Sequence, residues 1–145
     1  MSSQRLNKIT PIGVEQMGDL ADSLADPDVL RLENLDTNIP PPPAAIDTTL
    51  GAIHDDDANS YLPFLGQNDL RESAATLVAK ASGCDYHWKT ECVIAAGGLS
   101  GILNVLLASL EPGDGVLLTD PTYVGLINRV HLAGGVPRFV PMLAT

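Results

Sequence analysis

Apolar residues recur at helical spacing in several segments of the chain. The first such segment predicts an amphipathic helix over about residues 14–25, with its apolar face formed by Met17, Leu20, Ala21 and Leu24. Similar spacing predicts further helices that begin at about residues 44, 68, 102 and 124. In the third helix Asn68 is expected to be the N-cap, and the buried face is expected to contain Leu70, Ala74, Leu77, Val78 and Ala81. Gly83 is expected to end that helix, because glycine is common just after a helix.

Short apolar runs predict the strands. Residues 116–119 and 136–141 are bounded by glycine and proline and are expected to be strands, the first of them buried. Residues 93–96 complete a β-α-β-α-β alternation, which favours an α/β domain with a mainly parallel sheet. Residues 29–32 alternate weakly, as in a strand. The run Pro40-Pro41-Pro42-Pro43 is expected to be an extended spacer rather than a recognition segment for an SH3-like partner.

Composition narrows the class of protein. The 145 residues suffice for one compact domain, and 8 basic against 18 acidic residues give a net charge of −10, which disfavours binding to nucleic-acid phosphates. No apolar run approaches the roughly 20 residues that span a bilayer. The first residues lack the apolar core of a secretory signal, so we expect a cytoplasmic location. Cys84 and Cys92 fit a reducing compartment.

Two groups of residues invite comparison with metal sites. Cys84, His87 and Cys92 lack a fourth ligand at the spacing of a zinc finger, so we expect a small buried thiol at Cys92 and a solvent-facing imidazole at His87. The consecutive carboxylates of Asp55, Asp56 and Asp57 point in different directions, and we expect them in a solvated loop. No metal is therefore predicted.

Ligands of parallel sheets bind beyond the carboxyl ends of strands, where the chain turns into a helix. At one such junction Gly97 and Gly98 would let a phosphate approach free N–H groups, although a tight turn would use the same glycines. Ser100 can cap that helix or donate its hydroxyl. Tyr123, at the next junction, can stack on a planar ligand or pack as a partly buried core residue. Tyr61, in a turn-rich segment, can donate to an anion or anchor the surface.

Five motifs in order resemble class I/II aminotransferases, the fold-type I enzymes that depend on pyridoxal 5′-phosphate. They are Tyr61-Leu62-Pro63-Phe64-Leu65-Gly66-Gln67-Asn68-Asp69-Leu70-Arg71, Gly97-Gly98, Leu110-Glu111-Pro112-Gly113-Asp114, Asp120-Pro121-Thr122-Tyr123 and Leu132-Ala133-Gly134-Gly135. The resemblance implies a three-layer αβα fold with a mainly parallel sheet and an incomplete large domain. Residues 1–45 would be an N-terminal arm and small-domain segment, and residues 46–145 the first part of the large cofactor-binding domain.

The resemblance also implies roles for individual residues. Gly97, Gly98 and Leu99 would offer backbone N–H groups to the cofactor phosphate, and Tyr123 would stack on the pyridine ring. Tyr61 would reach the phosphate of a neighbouring subunit, which implies a homodimer with shared sites. Leu35 and Thr37 stand where family members have the glycine and the proline of a Gly-x-Pro motif, whose glycine lies near the substrate carboxylate.

A complete enzyme of this family would move an amino group between an amino acid and a 2-oxo acid by a ping-pong reaction. The family's Schiff-base lysine comes later in sequence than these motifs, and no matching motif contains the lysines of this chain, Lys8, Lys80 and Lys89. We therefore expect the 145-residue chain alone to be inactive.

Other functions fit the same motifs. A β-lyase or a cyclising synthase would share the fold and the cofactor. A non-catalytic remnant would only fold or dimerise. A ligand-sensing module joined to a DNA-binding domain is disfavoured, because nothing before residue 29 resembles a winged helix and a basic surface is lacking.

Overall fold

A computed structural model of the chain describes residues 3–33 and 39–143. Its helices are α1 (Gly13–Leu24), α2 (Pro43–Ile53), α3 (Asn68–Ser82), α4 (Trp88–Glu91), α5 (Gly98–Ser109) and α6 (Val124–Leu132). Its strands are β1 (Gly115–Asp120) and β2 (Val136–Pro141), and a 3₁₀ turn occupies Gln4–Lys8. The described residues form two compact units, one within Met1–Leu35 and Ala96–Thr145 and the other within Asp36–Ala95. The predicted domain boundary at residue 45 stays a prediction.

The sheet of the first unit is parallel, as predicted. β1 and β2 pair with Gly115 opposite Val136, and α6 connects them. Val130 of α6 is only 1% exposed and is the most deeply buried hydrophobic residue among those described. Gly135 allows the tight turn into β2, because a Cβ there would lie 3.0 Å from Cδ1 of Leu110 and 3.1 Å from Val130. The α/β class is confirmed, and the three layers stay a prediction.

Two strand predictions are wrong, and so is the predicted burial of a third strand. Among the described residues, neither 29–32 nor 93–96 forms a strand. The backbone N–H of Ile94 instead donates to the carbonyl of Leu65 at 2.9 Å, so no strand ladder includes it. β1 is a strand but is not buried, since Leu117 is 73% exposed. A strand is buried only when helices or further strands cover it, and a two-stranded sheet leaves its faces open.

The five helices that the periodicity predicts are present, with differences at their starts, whereas α4 was not predicted. α5 begins at Gly98 rather than at residue 102, because the backbone leaves helical geometry only at Gly97. Pro43, expected in an extended spacer, is the first residue of α2, a position where the missing N–H of proline removes no helical bond. Gln67 rather than Asn68 precedes α3, and Gly83 ends it with φ +73° as predicted.

Helix α3 buries a different face from the predicted one. Leu70, Leu77 and Val78 are 50 to 68% exposed, whereas Arg71 and Ala75 are 5% and 7% exposed. Periodicity alone therefore identified the apolar face of this helix but not the face that contacts the rest of its unit.

Arg71 fastens α3 to the segment that contains α4. Its Nε donates to the carbonyl of Cys92 at 2.8 Å, and its Nη2 donates to those of Trp88 and Lys89 at 2.9 Å each. The guanidinium lies 5.4 Å from the ring centroid of Trp88. A buried charge is tolerated when its donors find acceptors. This arginine therefore ties α3 to Trp88, Lys89 and Cys92, although residues 84–89 were expected to be only a polar connection.

Asn128 docks the N-terminal segment on α6. Its Nδ2 donates to the carbonyl of Thr10 at 2.8 Å, and the N–H of Thr10 donates back to Oδ1 at 3.0 Å. Arg5 adds a hydrogen bond from Nη1 to the carbonyl of Leu132 at 3.3 Å. The buried amide of Asn128 thus takes the place of a backbone partner.

Within residues 3–33 and 39–143, no helix has the length and apolar character that crossing a membrane requires.

Candidate functional site

The first candidate position is the start of α5. Gly97 precedes the helix with φ +85° and ψ 157°, a conformation that is almost confined to glycine. A Cβ at Gly97 or Gly98 would meet nothing within 4 Å. Packing therefore does not explain these glycines, and the space beside them is open to the close approach of a ligand.

Three backbone N–H groups at this start, those of Gly98, Leu99 and Ser100, precede the first intrahelical bond, from the N–H of Gly101 to the carbonyl of Gly97 at 3.2 Å. No side chain caps the helix, so Ser100 does not serve as the cap. Free N–H groups and the positive end of the helix dipole together suit an anion such as a phosphate monoester.

Tyr123 stands at the second candidate position, immediately before α6. Its side chain is 44% exposed and makes no capping hydrogen bond. The ring lies against Gly125, where a Cβ would be 2.9 Å from Cζ and 3.0 Å from Cδ1 of the tyrosine. A glycine at position 125 therefore permits the observed placement of the ring, which leaves part of the ring accessible.

A cleft of about 460 Å³ lies beside Tyr123 in the first unit. Its walls include Ile12 just before α1, together with Arg31 and Glu33. Arg31 pairs with both Glu33 and Asp22, the latter at 2.6 Å. The hydrogen bond to Glu33 raises the pKa of the Arg31 guanidinium, and the same bond lowers the pKa of the Glu33 carboxyl. The cleft thus combines an aromatic ring with a fixed charge pair.

Arg129 of α6 connects the two candidate positions. Its Nε donates to the carbonyl of Leu99 at 2.8 Å, and its Nη1 donates to that of Gly125 at 2.9 Å. Leu99 belongs to the first turn of α5, and Gly125 contacts Tyr123. No sequence motif singles out Arg129, because an arginine on a predicted helix is an ordinary surface residue.

Two other predicted site residues, Tyr61 and Leu35, lie elsewhere in the chain. Tyr61 belongs to the second unit and is 98% exposed, beside a groove of about 420 Å³ that also contains Asp69. Leu35 and Thr37 lie outside the described residues. The roles predicted for Tyr61 and Leu35 stay predictions.

The residues weighed as metal ligands are dispersed. Cys92 is half-buried rather than buried, and Cys84 is exposed. His87 and Asp55–Asp57 are exposed, as predicted. In the part of the chain that the structure describes, no three His, Cys, Asp or Glu side chains form a group that could hold a metal ion.

Residues 31–144 match the family described as aminotransferase class I and II. The chain belongs to this family. All five ordered motifs that suggested the resemblance lie within the matched range.

Curated relatives of this aminotransferase chain are much longer than the chain. It is 31% identical over 117 residues to LL-diaminopimelate aminotransferase of Gloeobacter violaceus, which covers 80% of the chain and 30% of the relative. It is 35% identical over 83 residues to a probable aspartate/prephenate aminotransferase of Thermus aquaticus, and this match covers 57% of the chain and 21% of the relative. The chain spans about a third or less of the length of these relatives.

Solved structures superpose on almost the whole of the aminotransferase chain, which corresponds to little more than a third of each of them. N-succinyldiaminopimelate aminotransferase from Mycobacterium tuberculosis superposes with a TM-score of 0.81 at 27% identity, covering 100% of this chain and 37% of that one. A Pyrococcus protein superposes with a TM-score of 0.86 at 28% identity, covering 96% and 35%. The structure is therefore part of the fold-type I aminotransferase fold.

Proposed function

We propose that this chain is the cofactor-anchoring part of a pyridoxal 5′-phosphate-dependent aminotransferase that moves an amino group between an amino acid and a 2-oxo acid. The observation that carries the proposal is one compact unit in which the open start of α5 and the ring of Tyr123 are joined through Arg129. The family uses this cofactor, which consists of a phosphate monoester attached to an aromatic ring. Both of these chemical features have a fitting partner in the unit.

Each residue would contribute binding and orientation. The N–H groups of Gly98 and Leu99 would hold the phosphate, with Gly97 giving the backbone the turn that exposes them. Tyr123 would stack on the pyridine ring, a contact worth about 0.5–1.5 kcal/mol beyond its buried area. The cofactor, when bound, supplies the electron sink for amino transfer, while the protein fixes its position.

The proposal extends to a homodimer. Tyr61 would donate its phenol to the cofactor phosphate of a neighbouring subunit, and its nearly complete exposure leaves the hydroxyl available for such a contact. Leu35 would lie near the substrate carboxylate, where it offers no side-chain hydrogen bond. A cytoplasmic location belongs to the same proposal.

Tyr123→Leu is expected to weaken pyridoxamine 5′-phosphate binding about three- to tenfold, because leucine cannot stack on the ring. This amine is chosen because it forms no Schiff base with lysine. Affinity is measured by titration calorimetry on the protein expressed from its complete open reading frame and freed of cofactor. Tyr86→Leu is the matched control, since Tyr86 is also 44% exposed but lies in the second unit.

The unmodified protein should also bind pyridoxamine 5′-phosphate at least about tenfold more tightly than pyridoxamine, because pyridoxamine lacks the phosphate. Equal affinity for the two compounds would remove the phosphate site from the proposal. An equal loss of affinity for pyridoxamine 5′-phosphate in Tyr123→Leu and Tyr86→Leu would contradict the stacking role of Tyr123.

The 145-residue chain by itself is expected to give no transaminase turnover, because the α-proton must be moved by an amine held at the reacting carbon. Lys8, Lys80 and Lys89 match no lysine motif of the family. The assay supplies pyridoxal 5′-phosphate, glutamate and a panel of 2-oxo acids, and compares the chain with a full-length class I and II aminotransferase and with cofactor alone. Turnover by the chain above the cofactor-only rate contradicts this expectation.

A further inference from the structure

We propose that Arg129 is a positioning residue that sets the separation between the start of α5 and Tyr123. The proposal rests on the proposed function, in which the first of these elements holds a phosphate and the second holds a ring. The proposal gives Arg129 no contact with the cofactor itself. It acts through the two backbone segments to which it donates hydrogen bonds.

The two hydrogen bonds of Arg129 differ in what they fix. The bond from Nη1 to the carbonyl of Gly125 at 2.9 Å lies within α6, four residues back along the helix, and orients the guanidinium. The bond from Nε to the carbonyl of Leu99 at 2.8 Å crosses to another helix, 30 residues earlier in sequence. Because the guanidinium is planar and its donors have fixed directions, the two carbonyls are held at one separation.

Both acceptors are coupled to the candidate cofactor contacts. The carbonyl of Leu99 shares its peptide plane with the N–H of Ser100, one of the free N–H groups at the start of α5, so holding this carbonyl directly orients that N–H. Gly125 lies beneath the ring of Tyr123, and a Cβ there would be 2.9 Å from Cζ of that ring. Movement of the Leu99 carbonyl would therefore shift the helix start that would hold the phosphate. Movement of the Gly125 carbonyl would shift the residue that lies against the Tyr123 ring.

The charge of Arg129 has no other evident use in this unit. Among the described residues, the ion pairs involve Arg31 and not Arg129. The side chain is half-buried, and two of its donors are directed to backbone carbonyls. A long cationic side chain ordered in this way loses considerable rotamer entropy, which the charge-assisted hydrogen bonds must offset.

A ligand that bridges the two positions reports on their separation. The phosphate and the ring of pyridoxamine 5′-phosphate are joined by a short covalent link, so the two contacts form together only when the protein presents them at the matching distance. Inorganic phosphate tests the first position alone, and pyridoxamine tests the second. A change in the separation of the two positions should weaken the binding of pyridoxamine 5′-phosphate more than the binding of inorganic phosphate or of pyridoxamine.

Arg129→Lys is the decisive variant, because lysine keeps the charge but has a single nitrogen that cannot serve both carbonyls in fixed directions. We expect its affinity for pyridoxamine 5′-phosphate to fall about tenfold, while the affinities for inorganic phosphate and for pyridoxamine change less than about threefold. Arg138→Lys is the control, since Arg138 is exposed on β2 of the same unit and its side chain donates no hydrogen bond within the described residues. An unchanged affinity for the bridging ligand, or an equal fall for all three ligands, overturns the proposal.

Amide hydrogen exchange keeps the positioning role separable from the proposed function. In cofactor-free Arg129→Lys, exchange should accelerate at the first turns of α5 and α6 and remain unchanged in β1 and β2. That pattern with no binding of pyridoxamine 5′-phosphate by the unmodified protein rejects the proposed cofactor but supports the positioning role. Unchanged exchange at both turns, or uniform acceleration throughout the unit, overturns the positioning role whatever the ligand results are.

Discussion

Gly66→Ala is expected to destabilise the second unit by about 2–5 kcal/mol, the sum of backbone strain and overpacking. Gly66 has φ +98°, which L-residues with a Cβ rarely adopt. A Cβ there would also lie 2.6 Å from Cβ of Ile94, too close for any real contact. Ile94 has little freedom to move away, because its N–H is bonded to the carbonyl of Leu65 at 2.9 Å.

The measurement is urea unfolding followed by the fluorescence of Trp88, the only tryptophan of the chain, which lies in the same unit as Gly66. Gly51→Ala is the matched control. Gly51 lies within α2, and a Cβ there meets nothing within 4 Å, so alanine should stabilise the unit by about 0.5–1 kcal/mol. Similar unfolding midpoints for the two variants would contradict the predicted clash.

Local signals predicted the elements whose ends are marked in the sequence. β2 occupies Val136–Pro141 as expected, because glycines precede it and proline stands at its end. Helix α1 follows its apolar periodicity, and Gly83 ends α3 because only a residue tolerant of positive φ fits there. In these cases the residues that decide the structure are neighbours in sequence.

Contacts between distant segments escaped prediction. Arg71 and Asn128 are polar and buried, and both are satisfied by carbonyl groups that no periodicity can identify. Burial depends equally on what covers a surface, so the apolar run that contains Leu117 indicated a strand correctly but not its exposure. The prediction of a strand at residues 93–96 was wrong for a related reason. A strand requires a partner strand, which the apolar run 93–96 does not specify.

The candidate site divides in the same way. Gly97, Gly98 and Tyr123 could be named from ordered motifs, because motifs record which residue types the backbone and the ligand require. Arg129 and Gly125 could not be named. Their significance lies in a hydrogen bond to Leu99 and in a ring contact, which become visible only when two helix starts are placed side by side. Motifs thus located the proposed ligand contacts, and the structure added the residues that we propose hold them in place.

Gly125→Ala is expected to preserve stability while abolishing the contribution of Tyr123 to ligand binding. A Cβ at position 125 would lie 2.9 Å from Cζ and 3.0 Å from Cδ1 of the ring. The ring is 44% exposed and can rotate into solvent, so the clash is relieved by displacing Tyr123 rather than by unfolding the unit. Alanine also favours the helix over glycine by about 0.5–1 kcal/mol. We therefore expect an unfolding free energy that is unchanged or raised, and a three- to tenfold loss of affinity for pyridoxamine 5′-phosphate, about the loss expected on removing the stacking contact.

A double-mutant cycle separates displacement of the ring from a general disturbance of α6. If Gly125→Ala acts through the ring, adding Tyr123→Leu should weaken binding no further, since the stacking contact is already lost. Gly13→Ala is the control in the same unit, because a Cβ at the first residue of α1 meets nothing within 4 Å, and it should leave both affinity and stability near those of the unmodified protein. Additive losses in the double variant would show that the alanine acts on the backbone of α6. In that case the glycine at position 125 serves the helix start that Arg129 holds, and not the placement of the tyrosine ring.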